Sequence, residues 1–457
     1  MFRKLAYDQD DFSEKTNINA RTGRTKALMI AAAFSLAVMI AAQIIMIIRF
    51  NGQQVSDGHW FTKKALFCAE NGLWYPSAEH ISSRYFSANG LINLMALLFR
   101  LGAGLRTIYV INALLVQVML WSCVFIVYRV ARSVGFCCRF IVLFCLLNTM
   151  WGYVVIVNTE IMFNALAFLG IALLFSEKRL ASVACGLLLA LANWVRPLGL
   201  IFLLGSLLVL VYRKKTVKHF VGVIAGFCAV VAVIGCVSLR SGGYFVYQAT
   251  TSGINLIQTA NDDADGSYMD EVFNEGKAGY IPEDQQKEMT FKDFDRVYRE
   301  RGLDWIRQHP FKYLSQIPRK LFLLYATETY SGNAYFNNEV VTSGKEYIID
   351  VVRKIMGRAD EPLAFGDILV VADQAWYSLI MVLALIGLVR SLMNNKWRFL
   401  LPFVFIAVMG TGVAMILISG ARYHFPYLPI FIMSAAFAIG EIKKPRKEKD
   451  TENGSKV

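Results

Sequence analysis

Four charged side chains stand close to long apolar stretches of the sequence. They are Asp57 in SDGHW, Glu160 in VNTEIMFN, Arg196 in NWVRPLGL and Arg422 in SGARYHFPYLP. Ionisable groups at a membrane boundary are costly to desolvate, so they are commonly paired or functional. A carboxylate can act as a general base toward a hydroxyl, and guanidinium groups hold a phosphate through paired N–H donors. Together these residue types predict group transfer from a lipid-linked phosphate donor to an alcohol.

Each of these residues also has a simpler interpretation. Taken alone, Asp57 is typical of a solvated loop acid, and Glu160 suits the first turn of a helix, where the helix dipole stabilises an acid. Arg196, which a proline follows, suits the outer turn of a helical hairpin with its side chain reaching toward lipid headgroups. Tyr423 and His424 could anchor the chain in the interfacial aromatic belt. The functional interpretation therefore depends on whether the four charged residues lie on one side of the membrane.

The elements that must position them are membrane-spanning helices. Of the 457 residues, 56% are hydrophobic and only 18% are charged, which is too apolar for an ordinary soluble domain. Apolar runs of about 20 residues span a bilayer as helices, because a helix satisfies its own backbone polar groups. Such runs lie near residues 27–48, 107–128, 137–157, 160–176, 180–195, 197–212, 217–239, 374–390, 398–418 and 422–441. The sequence therefore predicts an all-α polytopic membrane protein with about ten transmembrane helices.

Lys and Arg in short loops set the orientation of these helices, because they stay on the cytoplasmic side. Segment 85–104 could either span the membrane or lie along its surface. If it spanned, the basic cluster Arg129, Arg132 and Arg139 would lie outside and every helix up to the large loop would be inverted. We therefore predict a surface helix over 85–104.

With this orientation both ends of the chain are predicted to be cytoplasmic. The polar tail 1–26 precedes the first helix, which is too long and too far from the terminus for a cleaved signal peptide. The basic tail 442–457 follows the last one. We expect a multi-pass protein of the plasma membrane.

The predicted domains alternate between membrane and outer face. An N-terminal transmembrane module, 27–239, contains the outer loop 49–106, and C-terminal helices occupy 374–441. Between them, 240–373 is a large extracytoplasmic loop domain of mixed or α structure, with a helix at 291–309 and an apolar surface helix at 311–327. Acidic residues outnumber basic residues in this loop. The excess of basic residues that gives the chain its net charge of +13 therefore lies on the predicted cytoplasmic side. This distribution argues against nucleic acid as a partner.

The order of these motifs resembles the polytopic glycosyltransferases of the GT-C fold, in particular the protein O-mannosyltransferases and lipid A aminoarabinose transferases. Asp57 resembles the acid of the family's first outer loop, although the family often has a second acid where this chain has Gly58. Glu160 resembles the second acidic position, and NWVRPLGL the basic residue that opens the sixth helix. WIRQHPFKYLSQIPRKLFLLY resembles an outer-loop pattern that ends in a basic residue, here Arg319 or Lys320. RYHFPYLP is similar to the closing signature of the family.

The resemblance implies a polyprenyl-phosphate sugar as donor, delivered from the lipid bilayer to an outer-face cavity, and a glycan, lipid or protein as acceptor. It implies that Asp57 deprotonates the acceptor hydroxyl, which attacks the anomeric carbon with inversion, while Glu160 positions the acceptor or the sugar. No cofactor and no metal ligand are required, although some relatives use a divalent metal. The residues expected at the donor phosphate are Arg196, Lys320 and Arg422, with Arg319, Tyr423 and His424 as further candidates.

The main alternative is a transporter or flippase of a lipid-linked saccharide, which would use the same charged cavity without chemistry. Transporters often have inverted repeats and polar residues near the middle of the bilayer. Here no internal repeat is visible, and the polar groups cluster at one face. This favours the enzyme.

Overall fold

A computed structural model describes residues 15–50, 54, 56–328, 344–359, 361–393 and 399–439, with side chains described from residue 25 onward and, after the gap at 329–343, from residue 349. Over these ranges the backbone forms helices and no β-strand. The predicted tails 1–26 and 442–457 fall largely or wholly outside the described residues. An α-helical membrane protein, as the sequence predicted, is confirmed at this level.

The first half of the chain contains ten α-helices among the described residues. They are α1 (Lys15–Arg49), α2 (Ser56–Glu70), α3 (Asn89–Arg100), α4 (Leu105–Ala131), α5 (Val134–Cys145), α6 (Thr149–Gly152), α7 (Glu160–Leu173), α8 (Arg179–Val195), α9 (Gly199–Tyr212) and α10 (Val217–Gly242).

The second half contains several shorter helices followed by three further apolar helices. They are α11 (Ser252–Ile257), α12 (Glu283–Glu288), α13 (Phe291–Gln308), α14 (Pro310–Ser315), α15 (Ile317–Tyr325), α16 (Gly344–Ile355), α17 (Phe365–Met393), α18 (Leu401–Ile416) and α19 (Leu428–Ala438). A 3₁₀ segment over Ala421–Tyr427 directly precedes α19.

Among the described residues, four helices are long and apolar enough to cross a membrane by themselves. They are α1 from Thr25, α4, α10 and α17. A fifth span forms if α5 and the segment Thr149–Val155, which meet at a bend of 68°, are taken together. Side chains such as Ile30 (70% exposed) and Leu385 (63% exposed) point outward from these helices, as lipid-facing residues do. By length and composition, the described residues therefore contain four to five helical spans long enough to cross a membrane.

The remaining predicted spans coincide with shorter helices. Four of them, α7, α8, α9 and α18, are apolar helices of 10–17 residues, and α19 has 11 residues. At about 1.5 Å per residue these are shorter than the roughly 30 Å hydrocarbon core. The predicted run for α8 agrees with the helix to within one residue, whereas the other four runs are longer than their helices. The largest difference is at α19, where the first residues of the run form the 3₁₀ segment Ala421–Tyr427.

The boundary of the outer loop also differs from the prediction. Helix α17 begins at Phe365, whereas the predicted loop extended to residue 373. Asp367 and Asp373 interrupt the apolar run, but both are buried within this helix at 4% exposure. The backbone N–H groups of Ala364 and Asn148, respectively, donate to the two carboxylates. Hydrogen bonding thus lets acidic residues continue a helix that hydropathy alone would end.

Small residues allow the central helices to pack closely. A Cβ added to Gly186 of α8 would lie 2.0 Å from the carbonyl oxygen of Val223, and one added to Gly226 of α10 would lie 2.2 Å from that of Val183. Glycine is therefore required at both positions, because the two backbones touch there.

The described residues between α10 and α17, which form the outer segment of the predicted topology, contain an apolar core of their own. Ile254, Ile257, Val272, Phe294 and Tyr298 are buried members of this cluster. Helix α13 occupies the range predicted for a helix. The stretch predicted as one surface helix over 311–327 is instead divided into α14 and α15.

Candidate active site

The first pair of the predicted site residues joins the two ends of the chain. Asp57 lies in the first turn of α2, and its carboxylate accepts a hydrogen bond from the guanidinium of Arg422 in the 3₁₀ segment before α19. The Asp57 side chain is 36% exposed and that of Arg422 is 20% exposed. Asp57 is therefore neither in a loop nor simply solvated, as the simpler interpretation would have it, but half-buried against a cation.

The second pair lies beside the first. Arg196 donates to the carboxylate of Glu160 at 2.7 Å and to the hydroxyl of Thr159 at 3.1 Å. Glu160 is the first residue of α7 and its side chain is 1% exposed. The Nε of Arg422 lies 4.0 Å from the same carboxylate, so Glu160 links the two arginines. A fully buried carboxylate retains its charge at low cost only when such partners are present.

Tyr423 holds the two guanidinium groups near each other. The ring centroid lies 5.5 Å from the guanidinium carbon of Arg196 and 5.4 Å from that of Arg422. The negative face of an aromatic ring attracts cations, so this contact offsets part of the repulsion between the arginines. Both cations consequently face the same small region.

Buried Gln54 brings Asp57 to this place. Its side-chain amide donates to the carbonyl of Val155 and accepts from the N–H of Val157, both at 2.8 Å. The start of α2 is thereby tied to the segment that precedes α7. A Cβ on Gly58 would lie 2.9 Å from Gln54 Oε1 and 3.0 Å from the carbonyl oxygen of Val157. There is consequently no space for the second acid that the family often has at this position.

The turn between α8 and α9 brings Arg196 to the site. Arg196 has extended backbone dihedrals and ends α8, and the N–H of Leu198 donates to the carbonyl of Arg196 at 2.7 Å. A Cβ on Gly199 would lie 2.4 Å from that of Asn193. The hairpin predicted from the proline is therefore confirmed, and its tightness depends on Gly199.

A cavity of about 760 Å³ lies against these pairs. Asp57, Arg196, Arg422 and Tyr423 line it directly, and Glu160 lies buried behind Arg196. One wall is apolar and comes from the end of α18, and another comes from the outer segment. A cavity of this size with a few convergent polar groups is the usual form of a small-ligand site.

The structure leaves three of the predicted residues away from the cavity lining. Arg319 is exposed and pairs with Asp265 at 2.5 Å. Lys320 is fully buried, and its ammonium donates to the carbonyl of Met415 at 2.9 Å. Burial lowers the pKa of Lys320 to about 8. Its chemistry is therefore that of a buried structural lysine near the end of α18.

His424 is the third residue away from the cavity. Its ring is fully buried, forms an ion pair with Glu328 and lies 2.5 Å from the carbonyl oxygen of Leu324. Glu328 also accepts from the hydroxyl of Thr149 at 2.8 Å, and the same hydroxyl lies 3.4 Å from Asp373. This buried network ties the 3₁₀ segment to α6 and α17. Sequence inspection missed Glu328 and Asp373, because both had been assigned to the soluble outer loop.

Sequence reasoning also missed cavity residues on the outer segments. Arg84, Tyr85, Gln258, Tyr268 and Asp270 all line the cavity. The Tyr268 hydroxyl donates to Asp270 at 2.6 Å. Aromatic and amide residues are common in outer loops, so no local pattern distinguishes these from their neighbours.

Among the described residues, no group of three or more His, Cys, Asp or Glu side chains has a geometry that could hold a metal ion. Comparison of the chain with protein-family models and with curated protein sequences finds no match.

Proposed function

We propose that this protein is a membrane glycosyltransferase that moves a sugar from a polyprenyl-phosphate donor to a hydroxyl acceptor. The observation that carries the proposal is the meeting of two carboxylate–arginine pairs, Asp57–Arg422 and Glu160–Arg196, at one wall of one cavity. The GT-C resemblance supports the same activity, because it assigns the same four residues to catalysis and to phosphate binding.

In the proposed reaction, Arg196 and Arg422 hold the donor phosphate. Arg422 exchanges its contact with Asp57 for the phosphate, which leaves the carboxylate able to accept a proton. The acceptor hydroxyl oxygen then attacks the anomeric carbon, and its proton passes to Asp57. The bond between the anomeric carbon and the phosphate oxygen breaks, and its electron pair stays on the released polyprenyl phosphate. Inversion follows from the single displacement, and no cofactor is needed.

Glu160 is proposed to position the two arginines. Its buried carboxylate contacts both arginines, so it orients their N–H groups toward the cavity. Arg319, Lys320 and His424 are not included among the phosphate ligands, because they do not line the cavity. Their contacts support the walls instead.

We also propose the ten-pass topology for this function. The short helices α7, α8, α9, α18 and α19 would cross inside the bundle, where neighbouring helices rather than lipid cover their ends. The charge pattern supports cytoplasmic termini and a cavity on the outer side. We propose that the membrane is the plasma membrane. The large outer segment then forms the roof of the cavity.

The test supplies purified protein in nanodiscs with synthetic polyprenyl-phosphate sugars and measures release of polyprenyl phosphate. Asp57→Asn should lower the release rate by about 10²- to 10⁴-fold, the usual contribution of a general base. Asp304→Asn is the matched control, because the Asp304 side chain is 61% exposed and pairs with Arg307 on the neighbouring turn of α13. Donor binding without any release by the wild type would instead support the flippase alternative. Full activity of Asp57→Asn would remove Asp57 as the base.

A further inference from the structure

The cavity has a second set of polar groups that the proposed donor chemistry does not use. Tyr85, Tyr268, Gln258 and Asp270 line it together with Asp57. Tyr268 is 45% exposed, and its hydroxyl donates to Asp270. These groups offer two aromatic rings, one amide and one carboxylate to a ligand.

Gln258 contributes an unused hydrogen-bond acceptor to the lining of this part of the cavity. The residue is 2% exposed, and its Oε1 makes no hydrogen bond within the described part of the chain. Buried polar atoms nearly always have a partner, so this oxygen can accept from a water or from a ligand. An O–H group is a suitable donor for an amide oxygen.

The aromatic groups around it are fixed in place. The ring of Tyr85 stacks on that of Trp60 with centroids 5.9 Å apart and an angle of 20° between the planes. Burial, followed by the negative charges of Asp57 and Asp270, raises the pKa of Tyr85 to about 12, so its hydroxyl stays protonated at physiological pH. Tyr85 therefore presents a flat apolar face and a neutral O–H group. Sugars match such a surface, because their rings have an apolar C–H face and an edge of hydroxyl groups.

Charge limits the class of ligand further. Asp270 contributes a negative charge to this part of the lining, and Arg84 contributes a positive charge. Arg84 donates to Gln286 at 3.3 Å and lies over the ring of Phe273, and it keeps its charge because both partners are neutral. The charges of Asp270 and Arg84 sum to zero, so this part of the lining suits a neutral polyol.

We propose that Tyr85, Gln258, Tyr268 and Asp270 form an acceptor subsite that binds a neutral saccharide. The inference rests on the proposed glycosyl transfer and names its acceptor as a sugar hydroxyl. In an inverting displacement the acceptor approaches opposite the leaving phosphate. Asp57 contacts Arg422, the proposed phosphate ligand, and its charge also reaches Tyr85. The base therefore contacts the proposed phosphate ligand and lines the same cavity as this subsite.

The experiment measures direct binding of sugars to the purified protein in nanodiscs by saturation-transfer difference NMR. The probes are maltotetraose, cellotetraose, mannotetraose and chitotetraose, with a Ser/Thr-rich peptide and a glycerol-phosphate oligomer as competing ligand classes. We expect a signal from at least one neutral tetrasaccharide. Tyr268→Ala and Asp270→Asn should each weaken that binding about tenfold, the effect of losing one hydrogen-bonding contact. Phe311→Ala is the aromatic control, because Phe311 is 86% exposed and does not line the cavity.

Two further arms separate the sources of the sugar. Undecaprenyl phosphate alone and undecaprenyl-phosphate glucose are each added before the tetrasaccharide. If only the glucose-bearing lipid abolishes the signal, the subsite holds the donor sugar and the acceptor assignment is overturned. Binding of only the peptide or only the glycerol-phosphate oligomer, or no binding of any tetrasaccharide, also overturns it. Polyprenyl phosphate release is measured in parallel, so release without saccharide binding contradicts this inference alone, and absence of release contradicts the proposed function.

Discussion

The carboxylate of Asp57 and the guanidinium of Arg422 are hydrogen-bonded although 365 positions separate them in the chain. Neither residue is fully buried, and both line the same cavity. The contact joins the first outer helix to the segment that precedes the last helix, so the whole bundle must be assembled before this pair exists. This relationship motivates the first of five predictions.

The arginines should act together on the donor. Arg196→Ala and Arg422→Ala should each cost about 3 kcal/mol of transition-state stabilisation, as loss of a preorganised charge contact typically does. The two effects should not add, because both side chains contact Glu160 and Tyr423. The measurement is the rate of polyprenyl phosphate release by both single variants and the double variant. Arg307→Ala, at a side chain 73% exposed on α13, is the control. Wild-type donor binding in both single variants would contradict the phosphate assignment.

Glu160 should be important for stability as well. Glu160→Ala leaves Arg196 partly buried without its partner, and breaking a buried pair typically costs about 3–5 kcal/mol. Glu177 also pairs with two cations, but its side chain is 75% exposed, so Glu177→Ala should leave the unfolding midpoint close to that of the wild type. Thermal unfolding of the two variants in the same detergent compares them. Equal unfolding midpoints of the two variants would show that the buried Glu160–Arg196 pair stabilises the protein no more than the exposed pairs of Glu177.

The turn after α8 should tolerate no side chain at residue 199. Gly199→Ala places a methyl group 2.4 Å from the Cβ of Asn193, so we expect a destabilisation of about 1–3 kcal/mol and a loss of donor binding as Arg196 moves. Gly412 of α18 has no heavy atom within 4 Å of an added Cβ. Gly412→Ala should therefore be neutral, or stabilising by up to about 1 kcal/mol through helix propensity. A Gly199→Ala protein with wild-type stability and donor binding would be inconsistent with the tight turn.

Lys320 should make stability depend on alkaline pH. Burial lowers its pKa from 10.5 to about 8 in the folded protein, so the unfolded chain binds more protons between these two values. Stability should then rise as pH increases from about 8 to about 10.5, because the folded state no longer holds a buried charge. The measurement is the difference in unfolding midpoint between the wild type and Lys320→Met at several pH values between about 8 and about 10.5. A difference that stays constant with pH would mean that Lys320 titrates normally.

The proposed topology predicts the accessibility of two exposed positions. In a cysteine-free background, Arg132→Cys should react with a membrane-impermeant maleimide only after the cells are permeabilised. Glu275→Cys in the outer segment should react in intact cells. Both native side chains are exposed, so access to the reagent rather than burial decides the result. Labelling of residue 132 in intact cells would show that the helices have the opposite orientation and that the cavity lies on the cytoplasmic side.

The sequence alone was sufficient for the α-helical membrane class and for the grouping of Asp57, Glu160, Arg196 and Arg422. Hydropathy and loop charge are local properties, and they depend on composition more than on contacts. They predict that all four residues lie at the same face of the membrane, without any information on distances. Helix α13 and the turn at Arg196 were foreseeable for the same reason, because periodicity and proline act within a few residues.

Tertiary structure decided which charged residues share the cavity. Lys320, Arg319 and His424 have suitable types and positions in the sequence, but their partners Met415, Asp265 and Glu328 turn them elsewhere. Only packing could bring Tyr85, Gln258 and Tyr268 into the same cavity as the arginines. The physical reason is the sequence separation over which each interaction acts. Hydrophobic patterning specifies which face of a helix is buried, and it can be recognised within a few turns. Hydrogen bonds between distant residues, such as that between Gln54 and Val157, determine which helix ends meet.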